Sequence, residues 1–242
     1  MNIIEVENIK KSYRRRSVLT GVSFHAMPGE CIGIVGANGC GKSTLLNILA
    51  GGIKADGGSI LYSGQNPLKS RRVFSDYIGF VPQENPLISG LSVYDNLRFW
   101  YCDSPKNPDD DLNHGIAARF GLNAYRHYDV ANLSGGMKKR LSIACALAKE
   151  PPILILDEPG ASLDILCKED IKNYLNSYLA AGNTVVITSH ETGELSLCSR
   201  VYLLQDGILT ELKELAKGIR NDGEIARILL DKIYTAHQQI QD

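Results

Sequence analysis

The positions of apolar residues along the chain predict a series of short strands. Residues 2–7 alternate between apolar and polar side chains, which is typical of a half-buried strand. Residues 18–24 predict a second strand, which ends at the turn MPGE. Continuous apolar runs occupy residues 31–35, 153–156 and 184–188. Such runs are typical of strands that are buried on both faces of a parallel sheet.

Segments with helical patterns lie between these strands. The segment KSTLLNILAG predicts a helix that ends at a pair of glycines, residues 51–52. Two further helices are predicted at residues 134–149, which precede a pair of prolines, and near residues 164–180. Because strands and helices alternate, we predict an α/β fold with a mostly parallel sheet flanked by helices.

Residues 91–127 interrupt this alternation. Val93, Leu97, Trp100 and Tyr101 have the spacing of one helix face. A polar break, DSPKNPDDD, follows them, and the segment LNHGIAARFGL then predicts another helix. The pattern therefore indicates a helical insertion within the α/β body.

The expected domain organisation follows from these elements. One domain covers residues 1–210, with a helical subdomain inserted at about residues 84–150. The last clear strand, RVYLL, is followed by a turn at Asp206 and Gly207. Residues 211–242 are charged and helix-prone. They are predicted to form a C-terminal helical tail, to which the sequence assigns no role.

Composition and charge are those of a globular protein that buries a core. Of the 242 residues, 44% are apolar and 22% are charged. The formal net charge of −1 provides no general attraction for nucleic acid or anionic lipid. No nucleic-acid partner is therefore expected, and the short basic clusters at residues 14–16, 71–72 and 138–140 are interpreted as solvated surface.

The cysteines and the apolar runs favour a cytosolic protein. The six cysteines form no CxxC pair and no histidine cluster stands nearby, which argues against a zinc site and for a reducing compartment. The N-terminus lacks the apolar stretch of a signal peptide. No window approaches the roughly 18 uninterrupted apolar residues of a membrane-spanning helix.

The segment GANGCGKST carries the clearest chemical signal. It fits the pattern G-x-x-x-x-G-K-[ST] between a predicted buried strand and a predicted helix. Its glycines let backbone N–H groups face one anion, and the helix N-terminus adds positive charge. Lys42 is expected to reach the β- and γ-phosphates, Ser43 to ligate Mg²⁺, and Thr44 to bond phosphate. The phosphate loop consists of Gly36, Ala37, Asn38, Gly39, Cys40, Gly41, Lys42, Ser43 and Thr44, with the Cys40 side chain pointing away from the phosphates.

Two acids follow the buried strand in the segment ILILDEP. The carboxyl ends of parallel strands form the ligand-binding edge of such a sheet. Asp157 is therefore expected to hold Mg²⁺ through water, and Glu158 to polarise the water that attacks the γ-phosphate. An exposed pair of acids at a strand end is the alternative.

Three motifs together resemble one family. GANGCGKST, LSGGM at residues 133–137 and ILILDEP occur in the order and spacing of the nucleotide-binding subunits of ATP-binding cassette (ABC) transporters. The resemblance covers about residues 1–210 and implies a P-loop NTPase fold that hydrolyses ATP with Mg²⁺, with an N-terminal antiparallel β region. Met137 departs from the family's usual glutamine in LSGGM.

The resemblance also implies roles for single residues. Tyr13 matches the aromatic residue that stacks on adenine, Gln83 matches the glutamine that touches Mg²⁺ or the attacking water, and His190 matches the histidine that contacts the γ-phosphate. Glu158, His190, Gln83 and Lys42 are thus the expected catalytic residues. A tyrosine on a strand surface and a structural histidine are the alternatives for Tyr13 and His190.

A second anion site is implied at residues 134–136. By resemblance, Ser134, Gly135 and Gly136 contact the γ-phosphate of ATP held by a partner cassette, and Asp164 lies in the loop that couples the two nucleotide sites. The partner is either a second copy or a related chain. A simple helix cap is the alternative for Ser134 and for Asp164.

The family implies separate transmembrane permease subunits and a location on the cytoplasmic face of the cell membrane. Docking is expected at about residues 84–102, where Leu87, Ile88, Leu91 and Trp100 either contact the permease or pack in the core. Two other functions compete with transport. One is an ABC-type ATPase that acts on ribosomes or DNA without a membrane partner. The other is a small-molecule kinase, which leaves LSGGM unexplained.

Overall fold

A computed structural model describes residues 1–104, 106–215 and 223–228. Nine strands and eight α-helices have assigned bounds in these ranges. The strands are β1 (Ile4–Tyr13), β2 (Arg16–Ala26), β3 (Cys31–Val35), β4 (Gly57–Tyr62), β5 (Ile78–Val81), β6 (Ile153–Asp157), β7 (Thr184–Thr188), β8 (Arg200–Gln205) and β9 (Ile208–Glu211). The helices are α1 (Lys42–Leu49), α2 (Arg72–Tyr77), α3 (Val93–Trp100), α4 (Pro108–His114), α5 (Ile116–Arg119), α6 (Gly135–Ala146), α7 (Ile165–Ala180) and α8 (Thr192–Leu195).

A six-stranded sheet forms the centre of the fold, in the order β5-β6-β7-β3-β8-β9. All neighbouring strands pair in parallel except β9, which returns antiparallel to β8 after the turn at Asp206 and Gly207. Strands β3, β6 and β7 are buried along their whole length, as their continuous apolar runs predict. The expectation of a mostly parallel sheet is therefore confirmed.

The N-terminal strands form a second, antiparallel sheet in the order β2-β1-β4. Its apolar side chains share one core with α1 and with one face of the central sheet. In β6, for example, Ile153 and Ile155 point into this core. The expected antiparallel β region is thus present, and it covers the face of the sheet on which the phosphate loop begins its helix.

The helical insertion and α7 cover the opposite face of the central sheet. Leu154 and Leu156, which alternate with the residues above along β6, share this second core with Leu97 of α3 and Leu141 of α6. Successive side chains of a strand point to opposite faces of the sheet, so the residues of β6 contribute alternately to the two cores. No described helix is long and apolar enough to span a membrane.

The sequence pattern and the structure differ at three short helices. The polar segment predicted as a break contains the start of α4, because the Asn107 side chain accepts a hydrogen bond from Asp109 N and Pro108 occupies the first helical turn. The short helices α2 and α8 had no signal in the sequence pattern. Most of the predicted tail, residues 216–222 and 229–242, lies outside the described residues, whereas residues 223–228 are helical and Ile225 is buried in the second core.

The basic cluster at residues 138–140 is not solvated surface, so that interpretation was wrong. Lys139 is buried, and Arg140 is partly buried and pairs with Asp170 of α7 at 2.5 Å. Both residues lie on α6 where it faces other elements of the fold. A cluster of basic residues in the sequence does not indicate that its side chains are buried in this way. The arginines at residues 14–16 and 71–72 are exposed, as expected.

Candidate functional site

The phosphate loop connects β3 to α1, at the carboxyl end of a central parallel strand. Gly41, the residue before α1, has φ of +113°, and a Cβ at this position would lie 2.8 Å from Val18 Cγ1. A Cβ at Gly36 would lie 2.5 Å from the Leu204 carbonyl oxygen. Both positions therefore need glycine, and the loop can curl tightly in front of the N-terminus of α1.

The Lys42 ammonium lies inside this loop. The residue is buried, and its Nζ donates hydrogen bonds to the carbonyl oxygens of Gly36 at 2.8 Å and Ala37 at 3.3 Å. The loop thus holds a positive charge beside the first turn of α1, whose free N–H groups also favour anions. The side chain of Cys40 lies near Gly36, and burial raises the pKa of its thiol.

A cavity of about 540 Å³ opens over the loop. It is lined by Tyr13, Arg16, Val18, Asn38, Gly39, Gly41, Lys42, Ser43, Thr44, Gln83 and Glu158. The structure thus brings together predicted residues that are up to 145 positions apart in the chain, since Tyr13 and Glu158 share one cavity.

Sequence reasoning missed Arg16 and Val18 in this lining. Arg16 belongs to a basic cluster interpreted as surface, yet its Nη2 donates to the Gly39 carbonyl oxygen at 3.3 Å. Tyr13, at the end of β1, is 44% exposed, and the Lys11 ammonium lies 5.5 Å from its ring centre. The rim of the cavity therefore offers an accessible aromatic face next to positive charge.

The two acids at the end of β6 are held by a residue of the neighbouring strand. Thr188 Oγ1 donates to Asp157 Oδ1 at 2.6 Å and accepts from Glu158 N at 3.1 Å. The Thr188 carbonyl oxygen also accepts from Glu158 N at 3.1 Å. Asp157 is only 3% exposed, and Glu158 has φ of +47°, which turns the chain away from the strand. Thr188, which ends the segment TVVIT, was not predicted as a site residue.

Gln83 and His190 both approach the Glu158 carboxylate. Gln83 Nε2 donates to Glu158 Oε2 at 3.2 Å, and His190 Nε2 lies 3.6 Å from Glu158 Oε1. Burial and the Lys42 charge lower the pKa of His190, and the Glu158 charge partly opposes them. His190 is therefore mainly neutral at pH 7, with one ring N–H available as a donor.

The donors around the cavity fit a magnesium ion bound together with phosphates. The Ser43 hydroxyl and the Gln83 amide belong to the lining, and the buried Asp157 carboxylate lies beside Glu158 but outside that lining. All three offer oxygen atoms, which are the ligands that Mg²⁺ prefers. Among the described residues, no group of three or more histidine, cysteine, aspartate or glutamate side chains is arranged to hold a metal ion. The usual Mg²⁺ site uses one or two carboxylates together with substrate phosphates and water.

Residues 134–136 and Asp164 lie at the starts of two adjacent helices. Ser134 Oγ accepts from Met137 N at 3.2 Å at the start of α6, and Asp164 Oδ1 accepts from Cys167 N at 2.9 Å at the start of α7. A Cβ on Gly136 would lie 3.6 Å from Asp164 Oδ2. The two caps are therefore neighbours, and the described lining of the 540 Å³ cavity includes neither of them.

The four apolar residues of the expected docking segment differ in exposure. Ile88 is 44% exposed, whereas Leu87 and Trp100 pack against the core and Leu91 is partly buried. The buried Asn96 side chain pins Ile88, because it accepts from Ile88 N at 2.9 Å and donates to Ile88 O at 3.0 Å. The structure therefore presents Ile88 on a fixed backbone.

Comparisons with known proteins agree with this geometry. A family model described as ABC transporter matches residues 19–161. The Nod factor export ATP-binding protein I of Paraburkholderia xenovorans is 36% identical over 207 residues, which cover 84% of this chain and 68% of that protein. The linearmycin resistance ATP-binding protein of Bacillus subtilis is 33% identical over 214 residues, 85% of this chain and 67% of that protein.

A similar fold is known from solved structures. An ATP-binding cassette solved as a dimer, in a post-hydrolysis state bound to ADP and Pi, has a TM-score of 0.78 and 26% identity to this chain. The match covers 86% of this chain and 97% of that one.

Proposed function

This chain belongs to the ABC transporter family, and we propose that it is the transporter subunit that binds and hydrolyses ATP. The observation that carries the proposal is the single cavity that joins the phosphate loop to Gln83 and Glu158. This arrangement supports phosphoryl transfer to water, which depends on positioning the phosphates and the attacking water in one site.

The sequence-predicted residues at and beside the cavity have proposed parts in this reaction. Lys42 and the backbone N–H groups of residues 36–44 bind the phosphates, and Tyr13 stacks on adenine. Ser43, Asp157 and Gln83 hold Mg²⁺, which when bound neutralises charge on the phosphates. Glu158 orients the attacking water and accepts its proton, because its carboxylate lies on the lining of the cavity.

His190 is proposed to donate a hydrogen bond to the γ-phosphate. Two features support this role. Its ring lies within reach of Glu158, and its lowered pKa leaves it mainly neutral at pH 7, so that it contributes a directed N–H donor. Gln83 is proposed to link the Mg²⁺ site to Glu158, since its amide already donates to that carboxylate.

A second nucleotide-binding subunit completes the proposed site. Ser134, Gly135, Gly136 and Asp164 are proposed to act on ATP held by that subunit, as a homodimer or a heterodimer. Two observations support this assignment. The related cassette with ADP and Pi was solved as a dimer, and none of these four residues is in the described lining of this chain's own cavity.

The test uses Glu158→Gln, which keeps the size of the side chain and removes its basicity. We expect ATP binding near the wild-type affinity and a loss of hydrolysis of about 10²–10⁴-fold. In that background, ATP should drive dimerisation on size-exclusion chromatography, and adding Ser134→Arg should abolish it. Hydrolysis near the wild-type rate in Glu158→Gln would overturn the role of Glu158. Normal ATP-dependent dimers with Ser134→Arg would reduce Ser134 to a helix cap.

We further propose that the chain acts on the cytoplasmic face of a membrane, bound to separate permease subunits at residues 84–102. The exposed Ile88 on its pinned backbone supports contact there. Ile88→Asp should abolish co-purification with the permease while leaving ATP binding intact. Leu68→Asp, which changes an aliphatic residue outside the docking segment that is even more exposed than Ile88, is the control. Unchanged co-purification of Ile88→Asp would place the docking surface elsewhere.

The proposed division of the chain follows from these roles. Residues 1–210 form the ATPase domain, and the helical subdomain at about residues 84–150 carries both the docking segment and the start of α6. The subdomain and the central sheet share one core, which supports their assignment to one ATPase domain.

A further inference from the structure

Lys139 is a buried lysine that the roles above leave unused. It lies on α6, five residues after Ser134, and is only 4% exposed. Lysine is rarely buried to this degree, because its ammonium loses hydration that the protein must replace. Burial lowers the pKa of Lys139, and the negative charges of Asp157 and Glu194 partly oppose that effect.

The Lys139 ammonium is bound to the backbone of the Gln83 segment. Its Nζ donates to the carbonyl oxygens of Pro82 and of Gln83, both at 3.2 Å. One turn further along α6, Ser142 Oγ bonds to Asn85 Oδ1 at 3.0 Å. Residues 139 and 142 lie on the same face of the helix. Helix α6 therefore holds the segment that carries Gln83 at two points.

These contacts continue to the carboxylate of the proposed active site. The Gln83 side chain donates to Glu158 Oε2 at 3.2 Å. Lys139 thus connects α6, whose first residues are proposed to face the partner's ATP, with the glutamine and glutamate that face this chain's own ATP. The chain of contacts runs from Lys139 to the Gln83 backbone, and from the Gln83 side chain to Glu158.

A purely space-filling role does not account for a lysine here. An apolar residue of similar length fills the same volume without the cost of burying a charge. An ammonium group offers three donors on a flexible stem, which suits two adjacent carbonyl oxygens. The contacts are directed at the backbone of one catalytic segment, which is typical of a residue that sets position.

We propose that Lys139 is a positioning residue: it fixes the backbone at Gln83, and through it Glu158, in the geometry needed for ATP hydrolysis. It also ties that geometry to the position of α6. The inference rests on the proposed ATPase function. The two can be tested separately. ATP binding depends on the phosphate loop and not on Lys139, whereas the geometry for hydrolysis depends on Lys139.

The first test is Lys139→Met, which keeps the length of the side chain and removes its donors. A misplaced catalytic group typically costs about 10²-fold in rate, so we expect kcat for ATP hydrolysis to fall about 10- to 100-fold with KM within about twofold of wild type. Lys139→Gln retains an N–H donor and should recover part of the rate. Lys149→Met, at an exposed lysine beyond the end of α6, is the matched control and should hydrolyse ATP normally.

The decisive test is a double-mutant cycle with Gln83→Ala. If Lys139 acts through Gln83, then Lys139→Met should lower kcat by less than about threefold in the Gln83→Ala background, because coupled residues are not additive. An undiminished further loss in that background would overturn the proposal. If Lys139→Met does not fold, Lys139→Gln takes its place in the cycle, and additivity there has the same meaning.

Different results would overturn the proposed function and the positioning role of Lys139. A wild-type protein that hydrolyses no ATP in its transporter complex overturns the proposed function and this inference with it. A wild-type rate in Lys139→Met overturns the inference alone. Parallel loss of melting temperature, nucleotide affinity and kcat in both Lys139 variants would show a structural role and would also overturn it.

Discussion

Glu194 gives the sharpest prediction about stability, because its carboxyl group is largely shielded from water beside the segments that follow β6 and β7. It belongs to α8 and is hydrogen-bonded to Ser189 and to the Gly160 backbone. Burial raises the pKa of Glu194 to about 7, the negative charge of Glu191 adds to this effect, and the hydrogen bond with Ser189 opposes it. Glu191 itself pairs with Lys168 at 2.8 Å.

The raised pKa of Glu194 determines whether the free energy of unfolding rises or falls with pH. Between its unfolded pKa of 4.5 and its folded pKa of about 7, Glu194 holds a proton in the folded state that it loses on unfolding. The folded state therefore binds more protons, and its free energy of unfolding falls as the pH rises through this window. The difference between the two pKa values corresponds to about 3 kcal/mol, which is an upper bound because the side chain is only partly shielded from water.

The variant Glu194→Gln keeps the shape of the protonated acid at every pH. We expect its stability advantage over wild type to grow by up to about 2 kcal/mol between pH 5 and pH 8, measured by urea unfolding at each pH. Glu169→Gln, which changes an exposed glutamate of α7, is the control and should show no such trend. A stability difference that is the same at pH 5 and pH 8, or a variant less stable at pH 8, would refute the reasoning.

Three further predictions concern the cavity. Thr188→Val removes the hydroxyl bonded to Asp157 and should lower the free energy of unfolding by about 1–3 kcal/mol, measured in urea, and raise the Mg²⁺ concentration needed for half-maximal ATP hydrolysis. Gly41→Ala places a Cβ 2.8 Å from Val18 Cγ1 at φ of +113°, so the melting temperature and the affinity for a fluorescent ATP analogue should both fall. Tyr13→Ala should weaken binding of that analogue by about 1–3 kcal/mol, the value of stacking a base on an aromatic ring, while Tyr13→Phe should bind it normally. Unchanged binding in Tyr13→Ala would exclude stacking on adenine.

The sequence predicts well those parts of the fold that depend on residues adjacent to one another in the chain. The apolar runs at residues 31–35 and 184–188 coincide with the bounds of β3 and β7. Both strands are buried on both faces, so every position needs an apolar or small side chain. The phosphate loop is predictable for the same reason, since its turn, its charge and its helix start are contiguous in the chain.

The residues that sequence reasoning missed act across the fold. Thr188 reaches the acids of β6 from the neighbouring strand, and Lys139 reaches the backbone of Gln83 more than fifty positions away. The residue type alone indicates neither role, because a threonine ends many strands and a lysine is usually solvated. Whether such a residue reaches the site depends on its burial and on the register of its strand or helix. Both are set by which elements pack together.

Ser134 shows why a helix cap and a phosphate contact are compatible, although the sequence presents them as alternatives. As the cap of α6, the Ser134 hydroxyl uses an oxygen lone pair to accept a hydrogen bond from Met137 N. A hydroxyl has one proton and two lone pairs, so the proton remains available to donate to a phosphate oxygen. The cap also fixes the oxygen beside the first N–H groups of the helix, where an anion is favoured. The observed cap therefore leaves the proposed contact with the partner's ATP open and fixes the position of the atom that would make it.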